Sequence, residues 1–242
     1  MAEKEMALAR ADVYRLLSSA FVYPGKEEMA SLQEFAADVE DSISLLPYDI
    51  KEEYQAFSSD IAKADAEGLR PEYTELFLTR MFCPPTETVY GKNSFNTPNI
   101  LGDISGYYKA FGFTLSDKAE VPSHDHLAVE LEFMSFLELK IAYALEQKNE
   151  ENLDICLKAK KGFLAEHIGR WAYVFGQNLV TRSNDDYFKS FGHLVSKFFD
   201  AELEFYSIKV DIEGNQELPQ DNGPIECPHV SGETQEEEPM PH

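Results

Sequence analysis

Four residues near the middle of the chain have types and spacing that could do chemistry together: His124, Asp125, His126 and Glu130. They stand at the start of a predicted helix, where backbone N–H groups lack partners within the helix. Asp125 could accept hydrogen bonds from those groups, and it could also orient a neighbouring imidazole. Glu130 lies one turn beyond His126 on the same side. The group could therefore bind a polar ligand, act in acid–base catalysis or hold a metal.

One long helix, predicted from about Asp125 to Glu146, would carry these residues. Its apolar residues recur at steps of three and four, which places them in one stripe along one face. The stripe consists of Leu127, Leu131, Met134, Leu137, Ile141 and Leu145. Pro122, Ser123 and Asp125 are typical of a helix start. Because apolar residues also occur on the other faces, we expect this helix to lie at the centre of the fold.

A second stretch, residues 71–90, is rich in aromatic and polar residues. A helix is predicted to begin near Pro71, since proline suits the first turn, and to end at Cys83-Pro84-Pro85, since proline lacks the amide donor. Its helically spaced residues are Tyr73, Leu76 and Phe77. The irregular residues 84–98 follow. A loop this long is often functional, and a plain surface connector fits equally well.

Three motifs in these stretches resemble those of a known family. They are Glu72-Tyr-x-x-Leu-Phe77, Pro85-x-x-x-Val-Tyr90 and Asp125-His126-x-x-x-Glu-Leu-x-Phe-Met134. Their order and their helical contexts are similar to those of the assembly chaperones of molybdenum oxidoreductases. These are the TorD/DmsD/NarJ type, also called redox-enzyme maturation proteins. The resemblance covers roughly residues 5–208.

The motifs depart from the family pattern in two ways. The family usually has one residue between the proline and the Asp-His pair, whereas two residues separate Pro122 from Asp125. Tyr73, Thr86 and Tyr90 stand where the family often has tryptophan. A pocket built from these residues would be less aromatic than the family's, so its preferred ligand could differ.

The resemblance implies a cytoplasmic chaperone that is not an enzyme. Similar proteins bind the twin-arginine leader or the N-terminal region of an apo catalytic subunit, and they hold it until the cofactor is inserted and the subunit is assembled or exported. We expect a groove between the 73–90 segment and the start of the central helix. The predicted peptide-binding residues are Tyr73, Phe77, Pro85, Glu87, Tyr90, Pro122, Asp125, His126 and Glu130.

Each part of this groove has an expected role. The aromatic residues and Pro85 would form an apolar floor. The carboxylates of Asp125, Glu87 and Glu130 would meet the leader arginines through charge-assisted hydrogen bonds. His126 would be oriented by Asp125 and could donate to the peptide backbone. A basic and apolar leader complements such a groove in both charge and hydrophobicity.

Composition restricts the partners. The formal net charge is −23, so a phosphate backbone or an anionic membrane surface would be repelled, and a basic peptide is favoured. The three cysteines are widely spaced, which is typical of a reducing compartment. No basic region with a following apolar run stands at the N-terminus, and no stretch is long and apolar enough to span a membrane. We expect a cytoplasmic protein without membrane insertion, and the sequence leaves a homodimer open.

The chain is predicted to form one all-α domain over residues 1–210. Helical apolar patterns recur along it, and no alternating pattern flanked by hairpin turns occurs. The final residues, 211–242, contain nine acidic residues and no lysine or arginine, so residues 1–210 still carry a formal charge of −14. Their composition predicts a disordered acidic tail.

The alternative function is a metal- or nucleotide-dependent enzyme on a helical bundle. It lacks support from motifs, since the sequence contains no phosphate-binding glycine loop and no nucleophile elbow. His124, His126 and Glu130 alone would diverge around a helix start, and Cys227 with His229 supplies too few ligands for zinc. His167, on an apolar helical face, is interpreted as a hydrogen-bonded histidine of the core or its boundary. We therefore expect no catalytic residues, no metal and no cofactor.

Overall fold

Helices make up nearly all of the regular structure in a computed structural model of the chain, which describes residues 2–91, 97–115 and 123–211. They are α1 (Ala2–Ser19), α2 (Lys26–Leu45), α3 (Lys51–Lys63), α4 (Ala66–Tyr73), α5 (Glu87–Tyr90), α6 (Thr97–Phe111), α7 (Leu127–Gln147), α8 (Glu150–Glu166), α9 (Ala172–Arg182) and α10 (Asp186–Phe205). In these ranges the extended pairing is limited to an isolated antiparallel bridge between Thr86 and His126. The predicted all-α fold is confirmed.

The central helix lies where the sequence predicts it. Helix α7 packs against α1 on one side and α8 on another, and its apolar residues are buried on several faces. Helix α10 packs against α9 and α3, and α2 packs against both α1 and α3. Side chains from α7, α9 and α10 share the main apolar core, and a smaller cluster of Ala7, Ile141, Ala142 and Cys156 lies between α1, α7 and α8.

The start of the second motif helix differs from the prediction. Pro71 lies inside α4, which begins at Ala66 because the side chain of Asp65 accepts a hydrogen bond from the Gly68 N–H. The helix then widens into a π-helical turn, Thr74–Leu78, in which the Thr79 N–H donates to the Thr74 carbonyl at 2.8 Å. Such turns are rare and often occur at functional sites.

A buried cluster of charges ties α1, α7, α8 and α10 together. The Glu202 carboxylate lies 2.9 Å from Arg10 Nε and 3.0 Å from Lys160 Nζ, and Lys160 also pairs with Glu138. The hydroxyls of Tyr14 and Tyr48 donate to Glu202. Burial alone would raise the pKa of Glu202, but Lys160 and Arg10 hold it below its ordinary value. The carboxylate is therefore ionised, and the ion pairs around it join the four helices.

None of the helices in the described ranges is long and apolar enough to cross a membrane. Pro122 and residues 212–242 lie outside these ranges. The expected roles of Pro122 and of the acidic tail therefore stay predictions.

Candidate functional site

The second and third motifs are joined by backbone hydrogen bonds. The Leu127 N–H donates to the Pro85 carbonyl at 2.8 Å, and the Glu87 N–H donates to the Asp125 carbonyl at 2.9 Å. The residues between these bonds form the bridge of Thr86 with His126. The loop after Pro85 is thus fixed on the start of the central helix. We call residues 85–91 and 123–127 the linked segments.

Asp125 caps the short helix α5. Its Oδ2 accepts from the Thr88 N–H at 3.1 Å and from the Thr88 hydroxyl at 2.6 Å, while its Oδ1 accepts from the Ser123 hydroxyl. The side chain is only 1% exposed. The expectation that Asp125 caps the central helix is wrong, because its carboxylate turns away from α7 toward the loop that carries the second motif.

His126 is the residue that caps α7. Its Nδ1 accepts from the Ala128 N–H at 3.1 Å, and the ring of Phe21 meets the imidazole edge-on at 5.6 Å. The expected orientation of His126 by the Asp125 side chain is also wrong, because this cap and this aromatic contact hold the ring. Burial lowers the pKa of His126 to about 4, although the Asp125 carboxylate acts in the opposite direction. The imidazole is therefore neutral at pH 7, with its proton on Nε2.

This histidine cap predicts a specific pH dependence of stability. A histidine whose pKa is about 6.5 when unfolded and about 4 when folded binds more protons in the unfolded chain, so stability falls as the pH drops through that window. The loss should approach about 3 kcal/mol near pH 4. His126→Asn keeps a capping side chain without a titrating group, so it should remove this part of the loss.

The measurement is urea unfolding at several pH values between 7 and 4. The variant His193→Asn, at an exposed position of α10, serves as the control. Parallel pH curves for wild type and His126→Asn would contradict a neutral cap at His126.

The motif aromatics anchor the linked segments to the core. Tyr73 donates its hydroxyl to the Phe21 carbonyl at 2.7 Å and packs on Phe77 with ring centroids 5.0 Å apart. Tyr90 stacks on Trp171 at 5.1 Å. All of these rings are buried. They therefore fix the position of the motif loop and do not line an open surface.

Two carboxyl groups of the motifs lie side by side in the interior. Glu130 is fully buried, Glu87 is 4% exposed, and the two interact directly. Burial, followed by the neighbouring Glu87 carboxylate, raises the pKa of Glu130 well above its ordinary value. Two adjacent buried negative charges are costly, so Glu130 is the neutral acid of the pair.

His167 completes this buried polar group. Its Nδ1 lies 3.2 Å from both carboxylate oxygens of Glu87, and its ring packs against Phe163 and Tyr107. The interpretation of His167 as a buried, hydrogen-bonded histidine agrees with this geometry. Its partner could not be found from the sequence, because Glu87 lies 80 positions away. The apolar spacing around His167 was the available signal.

The structure brings most of the predicted peptide-binding residues together, but inside the protein. His126 is half-buried, and seven of the nine have buried side chains: Tyr73, Phe77, Pro85, Glu87, Tyr90, Asp125 and Glu130. The oxygens of Asp125 are occupied by Thr88 and Ser123. These side chains hold the linked segments in place, and the exposed surface of the linked segments is formed by other residues. His124 is exposed there and touches Ser105 of α6 through Nδ1 at 2.9 Å.

The fold and this site define a class of protein: an all-α bundle in which a motif loop is hydrogen-bonded to the start of a buried central helix. The model of the nitrate reductase delta subunit family matches residues 24–177, and the chain belongs to this family. The match spans all three motifs, from Glu72 to Met134.

Relatives with assigned names are similar over most of their length. A perchlorate reductase assembly chaperone protein from Dechloromonas aromatica (strain RCB) is 26% identical over 210 residues, covering 83% of this chain and 91% of that protein. The chaperone protein TorD of Vibrio cholerae serotype O1 (strain M66-2) is 24% identical over 177 residues, covering 69% and 78%. A crystal structure from Archaeoglobus fulgidus, described as a proposed redox enzyme maturation protein, has a TM-score of 0.46 and 22% identity, covering 78% and 93%.

Proposed function

We propose that this protein is a chaperone for the assembly of a molybdenum-containing oxidoreductase. It binds the leader or the N-terminal region of the apo catalytic subunit and holds it until the cofactor is inserted. One observation carries the proposal: the segments that bear the second and third family motifs are hydrogen-bonded to each other, in a chain whose relatives are named chaperones. The role is one of binding and release, and it requires no catalytic residue.

Charge supports a basic ligand. The chain carries a formal net charge of −23, so an arginine-containing leader is attracted from a distance, and a polyanion is repelled. The apolar part of a leader also needs an apolar surface close to these acidic groups. We propose that the leader lies across the linked segments, in which Thr86 and Val89 are half-buried and His124 is exposed.

The nine residues predicted from the sequence then act mainly by shaping this surface. Asp125, Glu87 and Glu130 are buried, so a leader arginine would have to open the linked segments to reach their carboxylates. Such an opening would break the cap on α5 and leave buried donors without acceptors, at a cost of about 1–3 kcal/mol for each. We therefore propose that these carboxylates position the loop and that the arginines are bound by acidic groups at the surface.

A positive charge introduced at His124 tests this proposed position of the leader. His124→Arg should weaken the binding of an arginine-containing leader about tenfold, because a positive charge would then face the leader arginines. His193→Arg, the same change at an exposed site on α10, should have little effect. The measurement is calorimetric titration of each protein with the leader and with a leader whose arginines are replaced by glutamine, at two salt concentrations.

The glutamine leader should bind the wild type more weakly and should not distinguish the two variants. The arginine leader should also bind more weakly as salt rises. Equal losses for His124→Arg and His193→Arg would place the leader elsewhere on the protein. Equal binding of the two leaders to the wild type would contradict recognition of the arginines.

A further inference from the structure

Three potential metal ligands meet beside the buried polar group, and none of them belongs to the family motifs. They are Asp103 on α6, Glu166 at the end of α8, and His167 directly after it. One ligand atom from each lies within 4.8 Å of the other two. Asp103 and Glu166 are exposed, whereas His167 is only 3% exposed. The cluster therefore combines a fixed interior imidazole with two carboxylates that reach solvent.

The imidazole of His167 presents its Nε2 atom toward Asp103. Its Nδ1 faces both oxygens of the Glu87 carboxylate at 3.2 Å, and because a carboxylate only accepts, Nδ1 carries the proton. In the part of the chain that the structure describes, Nε2 has no hydrogen-bond partner. It lies 3.5 Å from Asp103 Oδ2, and this approach lacks hydrogen-bond geometry.

A buried ring nitrogen without a hydrogen-bond partner is unfavourable, and a metal ion bound to Nε2 would supply that partner. An unsatisfied buried polar atom costs about 1–3 kcal/mol. The same arrangement, with the far nitrogen of a histidine donating to a carboxylate, is how proteins orient histidine ligands of metals. Glu87 therefore stands where a carboxylate behind a metal-binding histidine is expected.

Packing holds two of the three ligands. The His167 ring lies between Phe163 and Tyr107, with ring centroids at 4.9 and 5.6 Å. The Tyr107 hydroxyl donates to Glu166 Oε2 at 3.0 Å, which leaves the other oxygen available. Just beyond the histidine, a Cβ added at Gly169 would lie 2.2 Å from the Leu164 carbonyl oxygen, so glycine is needed for this close turn. Asp103, with a side chain 64% exposed, can move to close the site.

We propose that Asp103, Glu166 and His167 bind a divalent transition-metal ion of the Zn²⁺ class, with Glu87 orienting His167 from behind. An imidazole ligand favours such ions over Mg²⁺ and Ca²⁺, which prefer oxygen ligands alone. Three protein ligands leave a coordination position for water or for a donor from a bound protein. The sequence predicts no metal because the ligands come from separate helices. This proposal is independent of the chaperone function.

The test is a calorimetric titration of the metal-free full-length protein with Zn²⁺, and with Mg²⁺ for comparison. We expect one site that binds Zn²⁺ far more tightly than Mg²⁺. The double variant Asp103→Asn/Glu166→Gln should lose at least about 100-fold in Zn²⁺ affinity, since both carboxylate ligands are removed. Asp38→Asn/Glu151→Gln, with the same charge change at exposed positions, should bind as the wild type does.

A further variant separates ligation from general attraction to an acidic surface. Glu87→Gln changes no ligand, and it should weaken Zn²⁺ binding about 10- to 100-fold by altering the partner of His167. Melting temperatures and circular dichroism establish that each variant is folded. Equal Zn²⁺ affinities of the two double variants, no Zn²⁺ binding at all, or Mg²⁺ binding as tight as Zn²⁺ binding would each overturn the proposal.

Discussion

Replacing Glu202 by glutamine should lower the free energy of unfolding by about 3–5 kcal/mol, since removal of one partner from a buried ion pair leaves the other charge uncompensated. Arg10 and Lys160 both pair with this carboxylate, and Glu202 and Lys160 are fully buried. Glutamine keeps the shape of the side chain, so the loss reports on charge and not on packing. The measurement is urea unfolding at pH 7.

The same helix offers the control. Glu204→Gln removes an exposed carboxylate two residues further along α10 and should change stability by less than about 0.5 kcal/mol. Equal effects of the two substitutions, or a loss below about 1 kcal/mol for Glu202→Gln, would mean that the buried cluster does not hold the four helices together.

The second large effect is expected at Asp125. Asp125→Ala should destabilise the protein by about 2–4 kcal/mol, because the Thr88 N–H and the Thr88 and Ser123 hydroxyls lose their acceptor inside the protein. Asp125→Asn should cost only about 1 kcal/mol, since its carbonyl oxygen can still accept from Thr88. Asp41→Ala, at an exposed position of α2, is the control.

The same variants distinguish two roles of this carboxylate in binding. If Asp125 only positions the linked segments, Asp125→Asn should weaken the binding of the arginine leader and of the glutamine leader by the same factor. A double-mutant cycle measures this. A larger loss with the arginine leader would indicate direct contact with an arginine. Asp125 would then be the counter-charge that the resemblance implies.

The sequence predicts the helices of this fold well where apolar spacing is regular. The central helix, expected from about Asp125 to Glu146, is observed as Leu127–Gln147. Its stripe is long, and no competing signal interrupts it. The predicted start of the second motif helix is wrong because two local signals compete there. Pro71 is a good first-turn residue, yet the cap at Asp65 starts the helix earlier and proline is tolerated in its second turn.

The burial of charged residues is the part that local patterns could not supply. Lys160 is fully buried, although lysine is almost never buried without a partner. Its spacing from Leu157 and Leu164 places it on the apolar face of α8, which was a usable signal. Its partners Glu138 and Glu202 come from other helices, so only the tertiary structure joins them.

The candidate site shows the same limit. The motifs identify the segments that meet, but not which way each side chain turns. Phe77 illustrates the consequence, since an exposed floor was expected and the ring lies in the core against Phe188 and Phe21. Phe77→Ala would cost about 3–5 kcal/mol of stability and would not report on peptide contact.

Identification of the natural client tests the chaperone assignment most directly. The tagged full-length chain would be purified from its native host, the bound protein identified by mass spectrometry, and molybdenum measured in the complex. We expect the catalytic subunit of a molybdenum oxidoreductase, captured with its N-terminal region intact and with far less than one molybdenum per subunit. Failure to enrich any such subunit over an unrelated acidic helical protein, or capture of a subunit already loaded with molybdenum, would contradict it.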